Sequence, residues 1–150
     1  LALCNQYQAQ LLINDDVELA QQIGAHGVHL GQDDTNPLAA RIILGSRAII
    51  GVTCHDSLPL ARQAIKDSAN YIAFGRFFPS NTKPNARPAP ISLIGEARQA
   101  FPTTPIAVIG GINLANAKPL LDAGADMLAV CHSLFATDDI AARAQQFIEL

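Results

Sequence analysis

The sequence predicts an α/β fold of repeated βα units, and more narrowly a TIM (β/α)8 barrel of which this chain holds about six of the eight units. Three observations predict it. Six short apolar runs recur, each followed by a helical pattern. A weak repeat marks the joints where helix passes to strand. Polar residues cluster just after the runs. A doubly wound sheet fits the alternation too. The barrel is favoured because all its strand C-termini open onto one face, where such polar groups converge.

The strand runs are LLIND (11–15), GVHLG (27–31), AIIGVTC (48–54), YIAFG (71–75), PIAVIGG (105–111) and MLAVCH (127–132), with starts spaced by 16, 21, 23, 34 and 22 residues. They are too continuously apolar for a sheet with one wet face, and suit parallel strands buried on both faces. Helical periodicity fills the intervals: Val17, Leu19, Ala20 and Ile23; Leu38, Ile42 and Ile43; Leu60, Ala61, Ala64 and Ile65; Leu114, Ala117, Leu120 and Leu121. A last helix is expected from about Asp138 to Leu150. The joint repeat reads GAHGVHLG (24–31), SANYIAFG (68–75) and GADMLAVC (124–131). In the two versions that begin with Gly, it can end the helix in a left-handed cap.

With 150 residues, 49% hydrophobic and 15% charged, the chain suits one globular domain, 1–150. A net charge of −3 gives no basic field for nucleic acid. Aromatic residues are 5% with no Trp, which argues against base-stacking platforms. No apolar run approaches the roughly 20 residues of a membrane span, and no secretory leader pattern opens the chain. Cys4, Cys54 and Cys131 form neither a disulfide framework nor a zinc motif, which fits a reducing cytoplasm. The only methionine is Met127, and Leu1 to Tyr7 reads as the end of a helix already under way. The expectation is therefore a partial barrel lacking its first two βα units.

The strand ends carry the chemistry. They offer Asn14 and Asp15; Gln32, Asp33 and Asp34; Thr53 and His55; Ser80 to Lys83; Gly110 and Gly111; His132 and Ser133. Asp15 and Asp34 end neighbouring runs, and two such carboxylates can hold one Mg2+ that keeps waters for a diphosphate. The competing reading is helix capping, with Asp15 placed ahead of Val17. Hydroxyls beside Lys83 suit phosphate oxygens, or simply a solvated loop. The Gly-Gly turn at 110–111 offers backbone N–H groups and a helix N-terminus for phosphate, or is only a tight turn. His29 and His55 lie at or beside strand ends, where a packed core histidine is the plainer reading. His26 reads as an exposed turn residue, and Cys54 and Cys131 as small buried hydrophobes.

Together INDD (13–16), GVHLGQDD (27–34), GVTCH (51–55), FPSNTKP (78–84), IGGI (109–112) and GAD (124–126) resemble the thiamine phosphate synthase, or thiamine-phosphate pyrophosphorylase, family across nearly the whole chain. The resemblance implies a (β/α)8 barrel and a cytoplasmic transferase of thiamine biosynthesis. Such an enzyme joins a pyrimidine diphosphate to a thiazole phosphate, giving thiamine phosphate and diphosphate. Carried over by position, Asp15 and Asp34 would hold Mg2+. Asn14, Thr53 and Lys83 would contact the pyrimidine diphosphate. Ser80, Asn81, Thr82 and Gly111 would face the thiazole phosphate, with the backbone at Cys131 and His132 closing that site. Asp34 and Lys83 would carry the catalysis by neutralising the departing diphosphate.

Three departures accompany the resemblance. A Gln-x-Arg-x-Lys stretch usual in the family would lie before Leu1. Arg76 and Ser80 stand where proline and threonine are common, and His132 where a small serine is usual. Two rival readings follow: a thiazole tautomerase on the same fold, using His55 for proton transfer without Mg2+, and a non-catalytic module that binds phosphate ligands. Open sheet edges in a six-strand barrel also predict dimerisation or swapping into a homo-oligomer.

Overall fold

The computed structural model describes residues 1–79 and 87–150. The elements alternate as expected. In chain order they are α1 (Ala2–Gln6), β1 (Leu12–Asn14), α2 (Val17–Ile23), β2 (Gly27–Leu30), α3 (Pro37–Leu44), β3 (Ile49–Thr53), α4 (Leu58–Lys66), β4 (Tyr71–Phe74), α5 (Ser92–Ala100), β5 (Ile106–Ile109), α6 (Lys118–Asp122), β6 (Met127–Ala129), α7 (His132–Phe135) and α8 (Ile140–Ile148). All six apolar runs contain a strand, each trimmed by a residue or more where the chain turns out of the sheet. The strands neighbour one another in chain order in one six-stranded sheet, and β1–β2, β2–β3 and β5–β6 are parallel. That order lacks the reversal at which a doubly wound sheet changes direction.

The chain divides into two compact units, one of Leu1–Cys54 with Leu58–Ile72, the other of His55–Ser57 with Ala73–Leu150. The first buries Val28, Leu30, Ile50, Val52 and Ile72 from its strands with Val17, Ala20, Ala40, Ala61 and Ala64 from its helices. The second buries Phe74, Ile106 and Val108 with Leu93, Ile94, Ala97 and Leu120. Small alanines on the helices let them lie close over the strands' branched side chains.

Helix ends follow local chemistry. Asp16 caps α2, accepting from the Leu19 N–H at 2.8 Å, and Gly24 ends that helix at φ 66°. Asn36 caps α3 ahead of Pro37, whose missing N–H costs nothing at a first helical position. Asp139 accepts from the Ala142 N–H, so α8 starts at Ile140 rather than at Asp138. Neither α5 nor the four-residue α7 was among the periodic segments expected from sequence.

The joint repeat has a structural meaning. In each copy the third residue clamps one residue at the start of the preceding strand with two hydrogen bonds. The His26 N–H donates to the Leu11 carbonyl at 3.0 Å, and His26 Nδ1 accepts from the Leu11 N–H at 2.9 Å. Asn70 does the same to Ile50, at 2.7 Å through its N–H and 2.8 Å through Oδ1. Asp126 does it to Ile106, at 2.9 Å and 2.7 Å. His26 is thus a half-buried backbone clamp, and the exposed-turn expectation for it is corrected. Two of the clamps have an arginine behind them. Arg41, near the end of α3, reaches Asn70 Oδ1 and the Ser68 carbonyl. Arg98, near the end of α5, pairs with Asp126 and reaches the Gly124 carbonyl at 3.0 Å.

Asn70→Ala leaves a partly buried N–H at Ile50 without its acceptor, and should cost about 1–3 kcal/mol. Asp126→Ala should cost a similar amount, whereas Asp126→Asn should cost much less, because an amide already fills this role at position 70. Urea denaturation of the three variants checks this. Equal losses for Asp126→Asn and Asp126→Ala would show that the charge, not the clamp, matters.

Candidate active site

In the first unit the parallel register sets three strand C-termini side by side. Asn14 lies opposite His29, and His29 opposite Gly51. Asn14–Asp15, the 31–34 loop and Thr53 therefore follow one another along the same edge. Asp15 has φ 65°, and its N–H donates to the His29 carbonyl at 2.8 Å, which turns the chain out of β1. The α2 cap is made by Asp16, so the capping alternative for Asp15 falls on its neighbour. Asp34 Oδ2 accepts from the Gly31 N–H at 2.7 Å and closes the loop after β2, while Asn36 caps α3. Neither carboxylate is the N-cap of the helix that follows it, and both residues are exposed.

Thr53 is held from two sides. Gln32 Nε2 donates to its carbonyl oxygen. Its hydroxyl lies 2.7 Å from His29 Nε2, and His29 Nδ1 lies 2.7 Å from the Tyr71 hydroxyl. The His29 and Tyr71 rings stack with centroids 5.6 Å apart. Gly51 makes this arrangement fit: a Cβ there would stand 1.9 Å from Tyr71 Cζ. Burial pushes the Tyr71 phenol up to about 12, so the group stays protonated at physiological pH. Neither Gln32 nor Tyr71 carries a role legible in the sequence. The partners of His29 are 24 and 42 residues away in sequence, and no local signal announces them.

In the second unit the Gly-Gly turn packs tightly on the segment after β4. A Cβ on Gly110 would stand 2.3 Å from Arg76 Cβ, and one on Gly111 would stand 2.4 Å from the Pro79 carbonyl oxygen. The Ile109, Gly110 and Gly111 carbonyls accept from Phe77 N–H, Phe78 N–H and Asn116 Nδ2. The helix expected directly after the turn is absent there. Asn113 Oδ1 instead accepts from the N–H groups of Ala115 and Asn116, and α6 starts only at Lys118. The helix N-terminus is therefore not part of a phosphate cradle at this turn. Cys131 precedes α7 and His132 opens it; both are exposed, which corrects the buried reading of Cys131. Cys54 is buried as expected. The His55 carbonyl accepts from the Gly75 N–H at 3.0 Å. Ser80, Asn81, Thr82 and Lys83 lie outside the described residues.

A family model described as thiamine monophosphate synthase matches residues 1–134. The chain belongs to this family. Among relatives, the thiamine-phosphate synthase of Saccharophagus degradans is 57% identical over 149 residues, 99% of this chain and 68% of that protein. That of Marinobacter nauticus is 52% identical over 148 residues, 97% of this chain and 66% of that protein. The chain thus spans about two thirds of the length of these family members. Among solved structures, the thiamine phosphate pyrophosphorylase from Pyrococcus furiosus is 29% identical, with a TM-score of 0.88 over 99% of this chain and 70% of that one. A 3-hexulose-6-phosphate synthase from Salmonella typhimurium shares the fold alone, at 18% identity and a TM-score of 0.71.

Gly111 combines φ 65° with a Cβ position against backbone. Gly111→Ala should therefore destabilise the protein by about 1–3 kcal/mol. Thermal denaturation checks it, and an unchanged midpoint would show that the turn relaxes without cost.

Proposed function

We propose that the protein joins 4-amino-2-methyl-5-hydroxymethylpyrimidine diphosphate to 4-methyl-5-(2-phosphoethyl)thiazole, giving thiamine phosphate and diphosphate. The observation that carries this reading is the pair Asp15 and Asp34 at the ends of adjacent parallel strands, with the caps of α2 and α3 supplied by Asp16 and Asn36. Family membership and two relatives named for this synthesis support it. In the same reading the complete protein is a (β/α)8 barrel acting in the cytoplasm.

The donor set suits Mg2+. Among the described residues no group of three or more His, Cys, Asp and Glu side chains gathers to cage a metal. Two exposed carboxylates are what Mg2+ takes when waters and substrate phosphates complete its octahedron. Asp15 and Asp34 would hold the ion, which supplies charge neutralisation to the diphosphate.

The remaining roles fall to the chain's own groups. Asn14 and Thr53 orient the pyrimidine diphosphate by hydrogen bonding. Lys83 stabilises the negative charge that grows on the bridging oxygen as the carbon–oxygen bond breaks. The electron-rich aminopyrimidine stabilises the cation left at its exocyclic carbon. Ser80, Asn81, Thr82 and the Gly111 backbone hold the thiazole phosphate, with the backbone at Cys131 and His132 beside it. The thiazole nitrogen, held next to that carbon, forms the new carbon–nitrogen bond. No general base is needed, because that nitrogen carries no proton to remove.

Thiamine phosphate formation by the full-length protein, followed by mass spectrometry with both substrates and Mg2+, tests this. Asp34→Asn and Lys83→Ala should each lower the rate by about 10²–10³-fold, the usual size of a lost electrostatic contact to a leaving group. Chelation should abolish turnover and added Mg2+ restore it. A folded protein that forms no product would overturn the synthase reading. Thiazole isomerisation that survives chelation and fails in His55→Ala would install the tautomerase in its place.

A further inference from the structure

We infer that Tyr71 is a positioning residue: seated over Gly51, its hydroxyl fixes the proton of His29 on Nε2, so that His29 donates to Thr53 and the Thr53 hydroxyl proton is presented to the pyrimidine diphosphate. The inference rests on the function proposed above, in which Thr53 contacts that substrate.

The direction of the chain of hydrogen bonds follows from what each group can do. Tyr71 O–H has one partner among the described residues, His29 Nδ1 at 2.7 Å. A largely buried phenol proton needs an acceptor, and leaving it without one is costly. Tyr71 therefore donates and His29 Nδ1 accepts. A neutral imidazole that accepts at Nδ1 carries its proton on Nε2. Nε2 lies 2.7 Å from Thr53 Oγ1, so Thr53 accepts there. The Thr53 hydroxyl proton is then directed away from His29. The reverse direction would make Thr53 the donor to His29 and strand the Tyr71 proton. The Gln32 side chain fixes the backbone of Thr53 through its carbonyl, so the hydroxyl is aimed from a held main chain. Gly51 lies opposite His29 in the β2–β3 register, and its missing Cβ is the space the Tyr71 ring occupies.

The test uses the full-length protein with Tyr71→Phe, which keeps the ring over Gly51 and removes only the hydroxyl. The KM for the pyrimidine diphosphate should rise about fivefold, the size of one neutral hydrogen bond. The KM for the thiazole phosphate should stay unchanged, and the denaturation midpoint should fall only by the loss of this one hydrogen bond. Tyr71→Phe combined with Thr53→Val should be no worse than Thr53→Val alone, because both act through one hydroxyl. The imidazole ¹⁵N shifts of His29 should show Nε2–H in the parent and a gain of Nδ1–H in Tyr71→Phe. An unchanged KM, additive losses in the double variant, or an equal rise in both KM values with a larger fall in the midpoint would each overturn the inference. A parent that makes no thiamine phosphate overturns the function beneath it. In that protein the ¹⁵N shifts separately show whether the Tyr71–His29 link is wrong as well.

Discussion

A two-bond clamp at the strand starts holds the parallel sheet in register. A parallel sheet cannot use hairpins to fix register, because each strand reaches its neighbour through a helix. Register must then be set by something at the strand ends. His26, Asn70 and Asp126 set it by holding both backbone groups of one residue, at Leu11, Ile50 and Ile106. Three side-chain chemistries fill one role because each offers a lone pair at the same reach. A slip of one residue would turn each strand's side chains to the opposite face. It would also cost two bonds per clamp.

This fixes a division of labour along each strand. The N-terminal ends carry the clamps and the arginines Arg41 and Arg98, whose donors satisfy carbonyls at the helix ends. The C-terminal ends carry the polar groups of the candidate site. In the first unit the register sets side by side the strand ends that lead to Asn14 and Asp15, to Asp34 and to Thr53. Their supports are local turns, the Asp15 N–H on the His29 carbonyl and the Asp34 carboxylate on the Gly31 N–H. Candidate-site groups at one end and register at the other leave the two free to vary separately, as barrel folds permit.

The four inner strands were legible because they are buried and so read as unbroken apolar runs; β2, β3, β4 and β5 each hold three buried residues, whereas the outer strands β1 and β6 hold none, which corrects the expectation of burial on both faces for them. Helix α5 was missed although Leu93, Ile94 and Ala97 are buried on one face. It follows a long Pro-rich stretch, which obscures where a helical pattern begins. Asp15 and Asp16 compete for one cap, and the sequence alone does not say which backbone turns left-handed; φ 65° at Asp15 decides it. The joint repeat was visible, but the clamp was not, because His26 shares no side-chain class with Asn70 and Asp126. The His29–Tyr71 contact was invisible for another reason. It needs the β2–β3 register and a glycine on a neighbouring strand, both of which are nonlocal.

Asp15 and Asp34, at adjacent strand ends, are proposed to make a Mg2+-dependent diphosphate site. Titration calorimetry of inorganic diphosphate into the full-length protein, with and without Mg2+, tests it most directly. Binding is expected with Mg2+, little or none without it, and loss of binding in Asp15→Asn and Asp34→Asn at an unchanged denaturation midpoint. Equal binding with and without Mg2+, or full binding in both variants, would contradict it.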